Sequence, residues 1–208
     1  SQEAIERYAD DILAHGFPAG ILMVDDNWQR YYGNFDFKAE RFPDPKAMVD
    51  RLHAKGFNVM LWISPFVSPD SPEFRELQSK GFLIKQKGTN KAAIIPWWNG
   101  YSACYDLTNP AAFAHLQRQL ERMQREYGVD GFKFDAGDTY FYDPATQDYH
   151  DKNARAVDHL QRWGELGNRF PYNEYRAAWG LQGSPLVQRL ADKNHSWEAL
   201  RQLIPEML

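Results

Sequence analysis

The segment from Gly128 to Asp138 places two charged side chains where a reaction would need them. Lys133 and Asp135 are two residues apart, so on a strand both side chains point to the same face. Gly137 then permits a sharp turn. Functional residues of α/β proteins gather at the carboxyl ends of strands, so this pair predicts an active-site edge. The alternative is a structural ion pair at a strand end.

A second carboxylate would give this edge acid–base chemistry, since cleavage of a glycosidic bond uses two carboxyl groups. Asp135 is the best candidate nucleophile. Asp192 follows the last predicted strand and precedes a helix, which makes it the candidate partner or, alternatively, only a helix cap. Asp25 ends an earlier strand and is placed to accept hydrogen bonds from hydroxyl groups. Lys133 and Arg176 are placed to donate to hydroxyls and to favour the ionised form of Asp135.

The elements that must position these residues alternate between helix and strand. The apolar periodicity and the Asn, Pro and Gly positions predict helices at 3–15, 45–55, 72–80, 109–127, 153–166 and 197–207. Buried strands are predicted at 20–24, 57–63, around Lys133, at 175–179 and at 186–190. This order predicts a parallel sheet with right-handed crossovers.

A complete (β/α)8 barrel needs about 250 residues, and this chain has 208. The fold class predicted is therefore α/β, an incomplete (β/α)8 TIM-type barrel with about five of eight strands, forming a single partial domain over 1–208. Residues 81–108 break the alternation and predict a β-rich insertion over the end of the sheet. Trp97, Trp98 and Tyr101 are available there to line a cleft, or alternatively to form an aromatic mini-core.

The composition excludes several classes of function. The net charge is −4 and no long basic run occurs, so binding of nucleic acid or of an anionic membrane is not supported. No apolar run approaches the ~20 residues that span a bilayer. The one cysteine, Cys104, forms no intrachain disulfide, and no signal peptide is visible, so a cytoplasmic location is expected. The six histidines have no metal-ligand spacing, and neither a metal nor a cofactor is predicted.

Several motifs now resemble one known family. Lys-Phe-Asp-Ala-Gly-Asp, at 133–138, resembles the nucleophile motif of glycoside hydrolase family 31, which includes α-glucosidases and α-xylosidases. The motifs at 24–28, 33–37, 41–45, 61–66, 105–110 and 176–183 are similar to further segments of that family in the same order. The resemblance covers essentially the whole chain. It corresponds to the middle of the family's barrel, from just after the first strand to just after the sixth, and family members are far longer.

The resemblance implies a role for each site residue. Asp135 would be the nucleophile and Asp192, sixteen residues after Arg176, the general acid/base of a retaining, exo-acting α-glycosidase. The subsite for the non-reducing sugar would be lined by a further set of residues, namely Asp25, Trp62, Lys133, Arg176 and, as additional carry-overs, Trp97 and Trp98. The implied partner is a carbohydrate substrate, and no metal or organic cofactor is implied.

The family resemblance favours an α-glucosidase but leaves the sugar open. Asp138 stands where many members have Glu, and the Phe-Asp-Ala-Gly form is similar to a branch that includes α-galactosidases. Two further alternatives remain open at this point. An open half-barrel without activity would expose sheet edges and self-associate as a homo-oligomer. A barrel enzyme of another class would bind Mg²⁺ through Asp25, Asp135 and Asp138.

Overall fold

The computed structural model describes residues 1–207. In that part of the chain the α-helices are α1 (Gln2–Ala14), α2 (Pro45–Ala54), α3 (Pro72–Ser79), α4 (Pro110–Tyr127), α5 (Ala156–Gly167) and α6 (Trp197–Met207). The strands are β1 (Ile21–Val24), β2 (Asn58–Ile63), β3 (Phe66–Val67), β4 (Lys85–Gln86), β5 (Ile95–Trp97), β6 (Gly100–Cys104), β7 (Gly131–Phe134), β8 (Gln147–Asp148) and β9 (Tyr172–Tyr175).

Local capping chemistry sets where the helices begin. The Asp44 side chain accepts a hydrogen bond from the Ala47 N–H at 3.0 Å and starts α2, and Asn109 accepts from Ala111 at 2.9 Å and starts α4. Proline follows each of these caps, where its missing N–H costs nothing. Helix α4 ends at Gly128, whose φ of +78° is the left-handed conformation that glycine adopts without strain.

The main sheet is parallel and has the strand order β1-β2-β7-β9. Its outer face is covered by α2 and α4, which bury Met48, Leu52, Leu116 and Leu120 in the large hydrophobic core. Burial of this apolar surface is the main force that holds the helices on the sheet. The carboxyl ends of all four strands lie at one edge, so residues that follow them meet there.

Strands of the insertion form two small antiparallel pairings, the sheet β3-β6-β5 and the pair β4-β8, in which β3 and β8 come from outside the insertion. A second apolar cluster lies beneath it and contains Trp62, Phe66, Trp97 and Phe141. Trp97 is therefore part of an aromatic mini-core. Its neighbour Trp98 is 47% exposed and faces outward, so both interpretations of the aromatic run hold, each for a different residue.

The predicted partial barrel and β-rich insertion are confirmed, and all six predicted helices occur with ends shifted by at most a few residues. The strand predicted at 175–179 is wrong in its position along the chain, because the strand lies at Tyr172–Tyr175. The strand predicted at 186–190 is wrong as a strand, because it contributes a single parallel bridge between Gln188 and Tyr175. The Asn173 side-chain oxygen accepts a hydrogen bond from the Val187 N–H. In a longer parallel ladder, that N–H would donate to a main-chain carbonyl of the neighbouring strand.

Apolar side chains are exposed at both ends of the sheet. Ile21 of β1 lies at the first edge, and Val187 lies beyond β9 at the other. Tyr8 and Phe17, which precede β1 in the chain, are also exposed. Trp197, Leu200 and Ile204 of α6 are exposed as well. Within residues 1–207 no helix combines the length and the apolar character that crossing a bilayer requires.

Candidate active site

Two layers of side chains line the inner face of the sheet at its carboxyl end. Trp62, Lys133 and Glu174 are register partners on adjacent parallel strands, so they form one row on one face. Asp135 and Arg176 are each two residues further along their chains. The period of two therefore places them on the same face, one layer nearer the open end.

Asp135 is 7% exposed and held from two sides. The indole N–H of Trp62 donates to its Oδ2 at 2.8 Å, and the Arg189 guanidinium donates to its Oδ1 at 3.3 Å. Arg176 adds a charge contact, with Nε 3.7 Å from Oδ1. The Asp135 N–H donates to the Ile63 carbonyl at 2.9 Å, which fixes the backbone beside β2. A buried carboxylate needs such charged and hydrogen-bonding partners to remain ionised.

The chain turns sharply after Asp135. Ala136 and Gly137 have φ values of +58° and +79°, both in the left-handed region. This turn returns Asp138 to the same edge, where its Oδ2 accepts from Arg176 Nε at 3.0 Å and lies 2.9 Å from Nη2. An alanine in the left-handed region is uncommon and carries a strain that the surrounding structure must hold.

Arg176 is fixed by three different contacts. Besides its pairing with Asp138, its Nη2 donates to the Tyr140 hydroxyl at 2.9 Å, and its guanidinium carbon lies 4.6 Å from the ring centre of Trp98. Burial, and after it the charge of Asp138, raises the pKa of the Tyr140 hydroxyl, which is therefore a neutral group at neutral pH. Of the three tryptophans that the family resemblance suggested, Trp98 is the most exposed, and its contact with Arg176 connects it to the carboxylates.

Lys133 pairs with Asp25, at 2.8 Å between Nζ and Oδ2. Its direct partner is therefore Asp25, which follows β1 at the height of Lys133, and an effect of Lys133 on Asp135 in the next layer stays a prediction. The neighbouring Asp26 instead accepts from Tyr32 and Asn99. Asp25 and Asp138 each have their own cation, so the three aspartates suggested for Mg²⁺ do not form a common ligand set.

Asp192 lies at the open side of the edge, with its side chain 88% exposed. Its Oδ1 accepts from Arg189 Nη1 at 2.8 Å. The same guanidinium contacts Asp135, so the structure brings the two candidate catalytic carboxylates to one cation. The segment that carries Asp192 is held by its backbone, since the Arg189 N–H donates to the Tyr175 carbonyl at 2.8 Å.

Sequence reasoning missed Arg189 and Glu174. The sequence does contain a signal for Glu174. It precedes Arg176 by two residues, so on a strand both side chains point to the same face. Arg189 had a weaker signal, as a basic residue three positions before Asp192. Arg189 and Asp135 are 54 residues apart in the sequence, so no local pattern predicts that their side chains are in contact. Among the described residues no group of three His, Cys, Asp or Glu side chains is arranged to hold a metal ion.

Comparison with known proteins gives a family match over the full chain. The model of the "Glycosyl hydrolases family 31 TIM-barrel domain" matches residues 1–208. The myogenesis-regulating glycosidase of Mus musculus is 32% identical over 211 residues, covering 100% of this chain and 29% of the mouse protein. The α-xylosidase XylQ of Lactiplantibacillus pentosus is 30% identical over 142 residues, covering 66% of this chain and 18% of its own length.

Solved structures share the fold at lower identity. A family 31 α-xylosidase from a soil metagenome, in complex with xylose, superposes with a TM-score of 0.81 at 21% identity, covering 97% of this chain and 31% of that one. A xylosidase from Aspergillus niger has a TM-score of 0.80 at 18% identity, covering 99% of this chain and 34% of that one. The present chain thus spans about a third or less of the length of these relatives.

Proposed function

The chain belongs to glycosyl hydrolase family 31, and from that membership we propose that it is the catalytic part of a retaining, exo-acting α-glycosidase. Asp135 is the nucleophile and Asp192 the general acid/base. The observation that carries the assignment is the pairing of a buried, doubly held carboxylate with an exposed one through a single guanidinium. Such unequal surroundings are typical of two carboxylates with different tasks.

The reaction proceeds by double displacement. An Asp135 oxygen attacks the anomeric carbon, the bond from that carbon to the leaving oxygen breaks, and Asp192 gives its proton to the departing oxygen. A water molecule then attacks the same carbon, transfers a proton to Asp192, and releases Asp135 as carboxylate. The sugar is the only group transferred, and the net reaction consumes one water molecule.

The layer below Asp135 is the proposed floor of the sugar site. The Asp25–Lys133 pair offers an acceptor and a donor side by side, which suits neighbouring hydroxyl groups. Trp62 is 2% exposed and serves through its N–H to Asp135 rather than through an open ring face. Trp98 is 47% exposed, and the part of its ring that Arg176 does not cover is the surface that an apolar sugar face would pack against.

The sugar that we propose first is α-glucose. Relatives described as α-xylosidases make the xylo series the second candidate, and the Phe-Asp-Ala-Gly motif keeps the galacto series as a third. The three sugars differ in the substituent at C5 and in the configuration at C4, so their 4-nitrophenyl α-glycosides form a direct comparison. A cytoplasmic location stays a prediction.

The test of the catalytic roles uses these three aryl glycosides with wild type, Asp135→Ala and Asp192→Ala. We expect Asp135→Ala to lower kcat by at least about 10³-fold, because it removes the nucleophile. Azide should rescue each variant with a different product: Asp135→Ala gives the glycosyl azide of inverted configuration, and Asp192→Ala the retained one. The surface variant Asp70→Asn is the matched control and should behave as wild type. Hydrolysis by Asp135→Ala at the wild-type rate would refute the assignment.

A specific observation also favours a second candidate function. The apolar side chains exposed at the two edges of the sheet and on α6, among them Ile21, Val187 and Leu200, support a chain that self-associates. The second candidate is therefore a self-associating chain that binds sugar without turnover. In that case none of the three aryl glycosides is hydrolysed by the wild-type chain.

A further inference from the structure

Arg189 contacts three carboxylates with its three guanidinium nitrogens. Nη1 lies 2.8 Å from Asp192 Oδ1, Nη2 lies 3.3 Å from Asp135 Oδ1, and Nε lies 3.2 Å from Glu174 Oε1. The first two contacts are aligned hydrogen bonds, whereas Nε is not aligned on Glu174 and makes only a charge contact.

The geometry of a guanidinium limits how far apart the two carboxylates can be. Its terminal nitrogens are rigidly joined in one plane, so oxygens bonded to both lie within roughly 8 Å of each other. The other nearby arginine, Arg176, cannot supply this link, because Asp138, Tyr140 and Trp98 already occupy it. The spacing of the candidate pair therefore depends on Arg189.

We infer that Arg189 is a positioning residue that sets the mutual orientation of Asp135 and Asp192. The inference rests on the function proposed above and adds a residue to it. Each carboxylate presents Oδ1 to the guanidinium. That leaves Oδ2 of Asp192 to carry and return the proton, while Oδ2 of Asp135 is held by Trp62. Arg189 itself transfers no proton, since its guanidinium stays charged.

The contact to Asp192 must weaken and strengthen during the proposed reaction. The ion pair is complete while Asp192 is ionised, which is its form after it has protonated the leaving oxygen. When Asp192 carries its proton, Oδ1 still accepts a hydrogen bond from Nη1, but a neutral one is weaker than a charge-assisted one. The side chain is exposed, so it can regain its proton from water without leaving Arg189.

The test compares substrates that differ in their need for an acid. A glycosyl fluoride has a leaving group that departs with little protonation, whereas a methyl glycoside depends on the general acid. We expect Arg189→Leu and Arg189→Lys to lower kcat/KM for the methyl α-glycoside about 10–100-fold more than for the α-fluoride. This is less than the full contribution of general acid catalysis, about 10²–10⁴-fold, because Asp192 itself is still present. Lysine keeps the charge but cannot span both carboxylates.

Controls separate this role from a merely structural one. Arg162→Leu removes an exposed helical ion pair with Glu165 and should leave both substrates unaffected. Glu174→Gln keeps the guanidinium and removes one of its contacts, so it should also lower kcat/KM more for the methyl glycoside than for the fluoride, but to a smaller degree. This variant keeps the test informative even if the Arg189 variants fold poorly. Equal losses on both substrates, or a fully active Arg189→Lys, overturn the inference. Failure of the wild type to hydrolyse either substrate refutes the proposed function instead.

Discussion

At the scale of single residues, each carboxylate of the candidate site is paired with a cation, and Asp135 and Asp192 share one. Lys133 serves Asp25, Arg176 serves Asp138, and Arg189 serves Asp135 together with Asp192. The cation of each pair is at most 24% exposed, whereas Asp25 and Asp192 are 60% and 88% exposed. The contacts of the buried Asp135 therefore order the site more strongly than surface ion pairs would, which typically contribute at most about 1 kcal/mol. The site is thus organised before any substrate enters it.

The histidine on α5 is buried away from these pairs. His159 on α5 is fully buried, stacks on Tyr142 at a ring-centre distance of 4.4 Å, and has no hydrogen-bond partner for either ring nitrogen among the described residues. Burial lowers the pKa of His159 to about 4, against the smaller opposing effects of Asp106 and Asp158. In an unfolded chain the pKa of histidine is about 6.5.

This difference predicts a loss of stability in acid. Between about pH 6.5 and pH 4 the unfolded chain binds more protons than the folded chain, so the free energy of unfolding falls as the pH falls. We expect wild type to lose about 3 kcal/mol more than His159→Phe between pH 7 and pH 4. Urea unfolding at a series of pH values measures this, with the exposed His195→Phe as control. Parallel pH profiles for wild type and His159→Phe would contradict it.

At the scale of elements, the turn after β7 decides where Asp135 and Asp138 point. Gly137 has a φ of +79°, and an added Cβ would lie 2.4 Å from Trp163 Cδ1 on α5. Trp163 is fully buried and cannot move aside. The glycine is therefore needed both for its backbone conformation and for the close approach of the turn to the helix.

A pair of glycine substitutions separates these two effects. Gly88→Ala has the same kind of φ, at +68°, but nothing lies within 4 Å of its Cβ, so we expect about 1 kcal/mol of destabilisation. Gly137→Ala adds overpacking against Trp163 and should cost about 2–4 kcal/mol. Chemical denaturation of both variants provides the comparison. Equal losses would mean that the Trp163 contact relaxes at no cost.

The elements also differ in how well local sequence predicts them. Helices α2 and α4 begin where Asp44 and Asn109 provide a cap before proline, and that chemistry is legible in the sequence. The short strands β3 and β8 were not predicted, because two residues carry no periodicity. Strand β9 is shifted because its register follows from its pairing with β7 rather than from its own residues.

At the scale of the whole molecule, the exposed apolar side chains are expected to determine whether copies of the chain associate. We define the front patch as Tyr8, Phe17 and Ile21, and the rear patch as Val187, Trp197, Leu200 and Ile204, all of them exposed. Trp197 has 78% of its surface accessible, which is unusual for so large an apolar side chain. Association of chains through these patches would remove this surface from water.

We therefore expect the 208-residue chain to associate as its concentration rises. Size-exclusion chromatography with light scattering should give a mass above 24.2 kDa at tens of micromolar concentration, as is usual for weak contacts. The double variant Leu200→Glu, Ile204→Glu should shift the rear-patch association toward monomer, while Gln202→Glu on the same helix serves as its charge control. A wild-type chain that stays monomeric at these concentrations would contradict the expectation.

The alternation of the main helices and strands, the family resemblance and the carboxylates worth testing can all be read from the sequence. These depend on residues close together in the chain, namely the strand period around Lys133 and Asp135 and the turn at Gly137. Which cation pairs with which carboxylate is visible only in the tertiary structure. Lys133 pairs with Asp25, Arg176 with Asp138, and Arg189 with both Asp135 and Asp192. The physical reason is that charge interactions depend on distance in space, and these distances arise when parallel strands far apart in sequence align their carboxyl ends.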